Sequence, residues 1–482
     1  MHFRTIIKII GMLLMLFSLT MLPSVLVSLI YHDGAHLAFV EAFGIILLAG
    51  FLLWLPLMNH EGELRTRDGF LITVMFWVVL GVAGSFPLYF APDIGLSYTD
   101  AFFESFSGLT TTGATVITGL DELPRSVLFY RQQLQWLGGM GIIVLAVAIL
   151  PMLGIGGMQL YRAETPGPVK DSKLTPRITE TAKALWYIYL TLTIICASAY
   201  WLAGMSGFDA IAHAFSTVAI GGYSTHDKSI GYFDSPLIEF VAIVFMLLSA
   251  ANFSLHFAAF RNRSLKHYFR DPEYRFFLSI AAIMAVATVV ILMLTHSYSV
   301  GGSLRFGVFE AVSILTTTGF GAADFATWPL MLPFLLFLSS FIGGCAGSTA
   351  GGMKVMRVLL ILKQGIREIK RLIHPQGVFP IKIGKKPVND KVVQSVWGFF
   401  AVYVMMYGLI FLMLLSTGLD FTTTWSAVGS SLNNLGPGLG SVKDHYGNIN
   451  DLAKWILCFA MLLGRLEIFT LLVLLTPMFW RR

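Results

Sequence analysis

Four short segments of this chain bring threonine, asparagine and glycine together in a pattern that can exchange a cation's water for backbone oxygen. The stretch Asp100-Ala-Phe-Phe-Glu-Ser-Phe-Ser-Gly-Leu-Thr-Thr-Thr-Gly113 recurs 109 residues on as Asp209-Ala-Ile-Ala-His-Ala-Phe-Ser-Thr-Val-Ala-Ile-Gly-Gly222. It returns at a shift of 206 as Phe309-Glu-Ala-Val-Ser-Ile-Leu-Thr-Thr-Thr-Gly319, and more faintly at 323 as Ser426-Ala-Val-Gly-Ser-Ser-Leu-Asn-Asn-Leu-Gly436. The glycine and one serine (Ser107, Ser216, Ser313, Ser430) survive in all four. A dehydrated cation needs oxygen ligands, and rings of backbone carbonyls supply them in potassium filters. Glycine lets the chain take the left-handed or extended conformations that aim successive carbonyls one way. The candidate filter is therefore Thr110, Thr111, Thr112 and Gly113, with Ile220, Gly221 and Gly222, then Thr317, Thr318 and Gly319, then Asn434, Leu435 and Gly436, with potassium held at their carbonyls.

These segments need elements that bring them to one axis. About a dozen helix-forming residues precede each glycine, roughly 18 Å at helical rise and half a membrane. Asp100 and Asp209 are placed to cap the starts of these half-helices. A half-helix followed by threonine and glycine reads as a re-entrant loop, tolerated at membrane depth only where it lines a cavity. The C-terminal ends of the four half-helices would turn their negative dipole ends toward the axis. Ordinary interhelical loops would not repeat four times behind a half-helix. Each repeat holds two full spans, so successive repeats share one orientation, and four of them make a pseudo-fourfold pore.

The composition agrees with a membrane protein. With 56% hydrophobic and 12% charged residues, and 39 phenylalanines, the chain cannot hide its apolar surface in a water-soluble fold. The expected fold is all-α with ten spans, near 5–30, 36–58, 69–91, 127–152, 183–204, 236–259, 275–297, 330–362, 391–417 and 452–480. The apolar run 6–30 is too long for a cleavable signal and no A-x-A site follows, so it reads as a retained first span. The expected divisions are two N-terminal helices (1–62) and four pore repeats, 63–160, 161–262, 263–372 with a broken second helix, and 373–482. With ten spans both termini share one side, and that side then collects 26 of the 33 lysines and arginines, which makes it cytoplasmic. Cys196, Cys345 and Cys458 are odd in number, lie in or beside apolar segments, and read as packing residues.

At the segments Ser107–Thr115, Ala219–Thr225, Leu315–Phe320, Asn433–Gly438 and Gly343–Gly352, the sequence resembles the Trk/Ktr/HKT superfamily of potassium transporters. The likeness covers essentially the whole chain, including two extra N-terminal spans. It implies a bacterial inner-membrane homodimer in which each subunit carries its own pore. It also implies a cytoplasmic TrkA-type ring whose bound nucleotide (ATP, ADP or NAD) gates that pore, with no cofactor on this chain beyond the permeant ion. The filter departs from the potassium-channel pattern TVGYG: one matched glycine per repeat, in four different settings, should discriminate potassium from sodium less sharply.

Other residues fit around the pore. Gly343, Gly344, Gly347, Gly351 and Gly352 crowd the second span of the third repeat. Such a run must break a helix, leaving either a mobile gate across the pore or a site of close helix packing. It is no phosphate loop, since Met353 stands where the lysine belongs. Arg465 and Glu467 interrupt the last span without pairing with each other. Arg465 is read as facing the pore, in preference to a buried structural pair. Glu104 and Glu310 read as scaffolding behind the filter loops. Asp121, Glu122, Asp227, Asp324 and Asp444 follow the filters, as either an acidic rim or ordinary solvated loop charges. The ten basic residues of Lys354–Lys391 suit either anionic lipid or an acidic partner surface, and the resemblance favours the partner. The competing class is a potassium/proton or potassium/sodium symporter, whose repeats are more often inverted. An enzyme is disfavoured: no nucleotide loop, metal-ligand cluster or nucleophile–base pair stands out, and nothing suggests nucleic acid.

Overall fold

The computed structural model describes residues 1–60, 62, 65–91, 94–141 and 178–481. Among these, six helices are long and apolar enough to cross a membrane: 3–31, 36–57, 67–90, 183–202, 272–294 and 390–415. Counting two sharply bent helix pairs as spans raises the number to eight. The expected span 127–152 begins as the helix Arg125–Trp136 and runs through a π turn at 137–141 into residues outside the description. The expected boundary between the first two repeats, at 160/161, also falls outside it. The expected span 330–362 is two helices, Leu332–Ser339 and Val355–Ile373, with a non-helical passage between them.

The first two apolar helices cross at a pair of glycines. A first side-chain carbon on Gly11 would lie 2.7 Å from Gly50 O, and one on Gly50 equally close to Gly11 O. Small residues of this kind allow close backbone approach where lipid provides no hydrophobic drive. The next span, Thr66–Phe90, repeats the device. Its Gly81 carbonyl accepts from Ser105 Oγ at 2.9 Å, and its Gly84 carbonyl accepts from Tyr130 OH at 2.9 Å.

Four short helices supply the half-length elements: Tyr98–Leu109, Gly207–Ala219, Val300–Leu315 and Phe421–Asn433. The capping residues differ from expectation. Ser97, Ser206, Ser299 and Asp420 accept from the backbone three residues on, while Asp100 and Asp209 sit at the third helical position and receive the serine hydroxyls. The aspartates therefore hold the capping serine hydroxyls in place, and their charge still favours the positive end of each helix.

The helices that descend from the short helices are broken in more places than the glycine run foretold. Pro236–Ser249 and Phe253–Arg261 meet at 94°, and Asp451–Arg465 and Phe469–Leu475 at 116°. Cys196, Cys345 and Cys458 are buried free thiols, as packing residues should be. A two-stranded antiparallel hairpin pairs Lys382 with Pro387 and Ile383 with Lys386, near the start of the fourth expected repeat.

Candidate ion-conduction site

Each short helix ends in the same backbone turn. Thr111, Ile220, Thr317 and Asn434 take positive φ of 54°, 55°, 65° and 53°, and two residues on, Gly113, Gly222, Gly319 and Gly436 do so at 82°, 81°, 78° and 99°. The residue between donates its N–H to the matched serine carbonyl in every case: Thr112 to Ser107 O at 2.9 Å, Gly221 to Ser216 O at 2.8 Å, Thr318 to Ser313 O at 2.9 Å and Leu435 to Ser430 O at 2.8 Å. With its N–H tied back to the helix, that residue's carbonyl points away from the helix.

Those four carbonyls close a ring. A first side-chain carbon on Gly113 would come within 3.0 Å of Gly221 O, one on Gly222 equally close to Thr318 O, one on Gly319 to Leu435 O, and one on Gly436 to Thr112 O. The cycle runs first to second to third to fourth and back to first. No residue larger than glycine fits at the four matched positions without displacing a carbonyl. Asn434 Nδ2 strengthens the last seam by donating to Thr112 Oγ1 at 2.9 Å.

Buried polar groups hold the return strands behind the ring. Glu104 accepts from Val116 N at 2.9 Å and from Arg131 Nε at 2.7 Å, and Glu310 accepts from Ala322 N at 2.7 Å and Ala323 N at 3.0 Å. His213, at the matched position of the second segment, meets Ser224 Oγ at 2.9 Å, and in the fourth Ser426 Oγ accepts from Leu439 N at 2.8 Å. Scaffolding was the expected role of Glu104 and Glu310, and His213 and Ser426 share it.

On one side the ring opens into a cavity of about 410 Å³ bordered by Gly113, Gly222, Gly319, Gly436, Asp227 and Lys443. The acids near it are largely engaged. Asp227 accepts from Gly119 N at 3.1 Å and Leu120 N at 3.0 Å, and Asp324 pairs with Lys443 at 2.7 Å. Asp121 bonds His226, whose ring stacks on Tyr232 with centroids 3.4 Å apart. Burial alone would favour neutral His226, but hydrogen bonds to Asp209 and Asp121 outweigh it and raise its pKa. Most of these acids therefore brace the loops of the mouth.

On the opposite side lies the glycine passage. Gly351 N donates to Thr317 Oγ1 at 2.7 Å, Gly352 N to Asn433 O at 3.0 Å and Thr349 Oγ1 to Val218 O at 3.0 Å. The passage thus touches the ends of the second, third and fourth short helices. Gly343 packs against Gly351 and Gly352, Gly344 against Ala350, and Gly347 against Asn252. Arg465 completes the circle: Nη1 donates to Thr111 Oγ1 at 3.1 Å and Thr349 O at 3.4 Å, and Nη2 donates to Gly139 O at 2.7 Å and to Gly138 O. Glu467 instead pairs with Arg357, which lies 4.1 Å over the Phe399 ring. Lys354, assigned above to the basic cytoplasmic stretch, turns inward and donates to Ala350 O.

Several contributors escaped the sequence reading. Glu273 Oε1 accepts from Ala346 N at 2.7 Å and Met356 N at 3.1 Å, fastening both arms of the glycine passage. Arg131, Gln132 and Gln135 project from the helix Arg125–Trp136 onto the second candidate filter segment. Their signal was present in the sequence: three glutamines and an arginine inside a stretch otherwise apolar enough to span.

A family model described as TrkH, cation transport protein, matches residues 35–482. The Trk system potassium uptake protein TrkH of Halomonas elongata is 62% identical over 482 residues, covering all of both chains. The protein of that name from Escherichia coli strain K12 is 55% identical over 482 residues, again over all of both chains. The crystal structure of the potassium transporter TrkH from Vibrio parahaemolyticus superposes with a TM-score of 0.91 at 57% identity, covering 100% of each chain.

Proposed function

The chain belongs to the TrkH family of cation transport proteins, and from that premise we propose that it admits potassium to the cell along the axis of the four-glycine ring. The family is one of transporters and not of enzymes. The observation that carries the reading is the cyclic closure of the ring, in which four matched carbonyls meet four matched glycines. Oxygen ligands come from the filter carbonyls of Thr110–Gly113, Ile220–Gly222, Thr317–Gly319 and Asn434–Gly436, and four helix ends direct negative dipole toward a bound cation. On this reading the chain is a ten-span protein of the bacterial inner membrane, with four parallel repeats in pseudo-fourfold array and both termini cytoplasmic. The domain limits are those given above.

The glycine passage and Arg465 serve as the gate. They lie across the axis on the side of the basic segments, opposite the cavity. A fixed positive charge there repels permeating cations, and the passage blocks the path sterically. A cytoplasmic TrkA-type ring binding ATP, ADP or NAD opens it, and the subunit works as a homodimer. Trk system is the name the relatives carry, in keeping with action alongside partner proteins.

A conducting pore and a symporter differ in what sets the reversal potential. Bilayer recording of the reconstituted protein with its partner, under potassium, sodium and proton gradients varied in turn, separates them. Reversal at the Nernst potential for potassium is expected. A reversal that tracks a proton or sodium gradient would sink the pore in favour of symport.

A further inference from the structure

We propose that Gln135, on the descending helix of the first repeat, is a selectivity-setting residue that braces the second corner of the filter ring. Three corners are anchored by their own side chains. Thr112 Oγ1 meets Thr110 Oγ1 at 2.8 Å and Asn434 Nδ2 at 2.9 Å, Thr318 Oγ1 meets Thr316 Oγ1 at 2.7 Å, and Leu435 is fully buried. The second corner is Gly221-Gly222, with no side chain to anchor it. Two consecutive glycines make the most flexible corner of the four.

The Gln135 amide fills the vacancy. Its Nε2 donates to Gly221 O at 2.7 Å and its Oε1 accepts from Tyr223 N at 3.1 Å, so one buried side chain grips both flanks of Gly222. Among the described residues, Gly221 O is the one ring carbonyl that accepts a hydrogen bond from a side chain. Gln132 Nε2 donates to Tyr223 O at 3.2 Å and Arg131 Nη1 to Ser224 O at 3.2 Å, extending the grip along the same segment. The amide also explains the extra glycine. Gly221 does not have positive φ, so its backbone would accept a side chain, but a first carbon there would collide with the Gln135 amide. Gln135 is a positioning residue: it fixes the direction and radius at which Gly221 O meets an ion, and one of that oxygen's lone pairs is committed to the amide.

The inference rests on the ring's being the filter. The test is rubidium uptake into liposomes holding the purified protein, with sodium as competitor, read as the rubidium-to-sodium permeability ratio. Gln135→Met keeps the side chain's bulk and removes both hydrogen bonds. It is expected to lower the ratio at least threefold, while the dependence of flux on partner stays at wild type. Gly221→Ala should lower the ratio in the wild-type background and do no further harm beside Gln135→Ala, because the colliding amide is gone. A wild-type ratio in Gln135→Met, or additive losses in the double variant, would overturn the assignment. Gly319→Ser, assayed alongside, separates the two levels. An altered ratio there with an unaltered one in Gln135→Met sinks the brace alone, and no change in either sinks the filter.

Discussion

The ring and the passage beneath it share helix ends but are secured in opposite ways. Each ring residue is tied to its own short helix, five positions back in the chain, by a bond of 2.8–2.9 Å. The glycine passage closes on itself in places, as where Met353 N donates to Phe341 O at 3.0 Å, but it is also bound to distant elements: Val218, Ala250, Glu273, Thr317, Asn433 and Arg465. Local closure keeps its geometry whenever the helix is formed. Remote tethers are released when any one of several elements moves, as a switching element requires. The difference predicts that changes in the passage alter how often the path is open, and changes in the ring alter which ion passes.

The largest effect should come from Arg465. Two unit charges about 4 Å apart at an effective dielectric near 20 repel by about 4 kcal/mol. Even with strong screening by water, Arg465→Ala should raise partner-free rubidium flux by roughly tenfold or more. Deletion within Gly347–Gly351 should raise it comparably by removing the steric plug. Neither should move the rubidium-to-sodium ratio. Flux at or below wild type in both variants, with the protein folded and inserted, would remove this division of labour.

Gly319→Ser attacks the ring from the other direction. A side chain at φ +78°, close against Leu435 O, costs about 1–2 kcal/mol of backbone strain before any clash. The permeability ratio should fall by roughly tenfold and partner-free flux should not rise. A variant that opens the path instead would show that ring and passage are one mechanical unit.

How far this division was legible in the sequence depends on whether local repetition wrote it. The repeat exposed the ring because matched threonine and glycine impose the same turn four times, and Glu104 and Glu310 stood out through their matched positions. The bends at 250–252 and 466–468 left no such trace. The first is set by Asn252, whose side chain caps the next helix at 2.8 Å, and by Phe253 N donating to Gly347 O at 3.0 Å. The second places Glu467 and Ile468 at positive φ of 50° and 61°, with Glu467 held by Arg357 from the helix Val355–Ile373. Both are tertiary decisions that residue propensity does not encode. Gln135 was visible only as a polar residue in a span, and its purpose depends on a glycine 86 positions away.

A smaller effect is expected at Glu273, which fastens the passage without touching the axis. Glu273→Ala leaves the buried Met356 N–H unpaired, at about 1–3 kcal/mol, and the half-buried Ala346 N–H as well at a smaller cost. Part of that penalty is recovered by loosening the passage, so partner-free flux should rise severalfold and the permeability ratio should hold. Glu273→Gln keeps an acceptor oxygen and should behave nearly as wild type. Equal flux from the alanine and glutamine variants would show that Glu273 supports the fold and not the closed passage.

The smallest effect belongs to the basic helix Val355–Ile373, which continues directly from the passage and, on the proposed gating, would be the partner's lever. Its cations fall into two kinds. Arg367 is 8% exposed and paired with Asp390 at 2.6 Å, so it joins this helix to the start of the next span. Lys370 and Arg371 are exposed, and Arg371 pairs with the exposed Glu368 at 3.0 Å. Exposed ion pairs contribute about 0.2–1 kcal/mol each, so Lys370→Glu with Arg371→Glu should weaken partner binding two- to tenfold at low salt. Screening shortens such interactions to about 8 Å at physiological ionic strength, so the gap from wild type should narrow as salt rises. Arg367→Glu should act differently, lowering the unfolding temperature and raising partner-free flux through the disturbed helix at any salt. The comparison needs co-purification across a salt series beside a melting curve for each variant. Undiminished binding by the exposed pair at low salt would move the docking surface off this helix, and the passage would then need another lever.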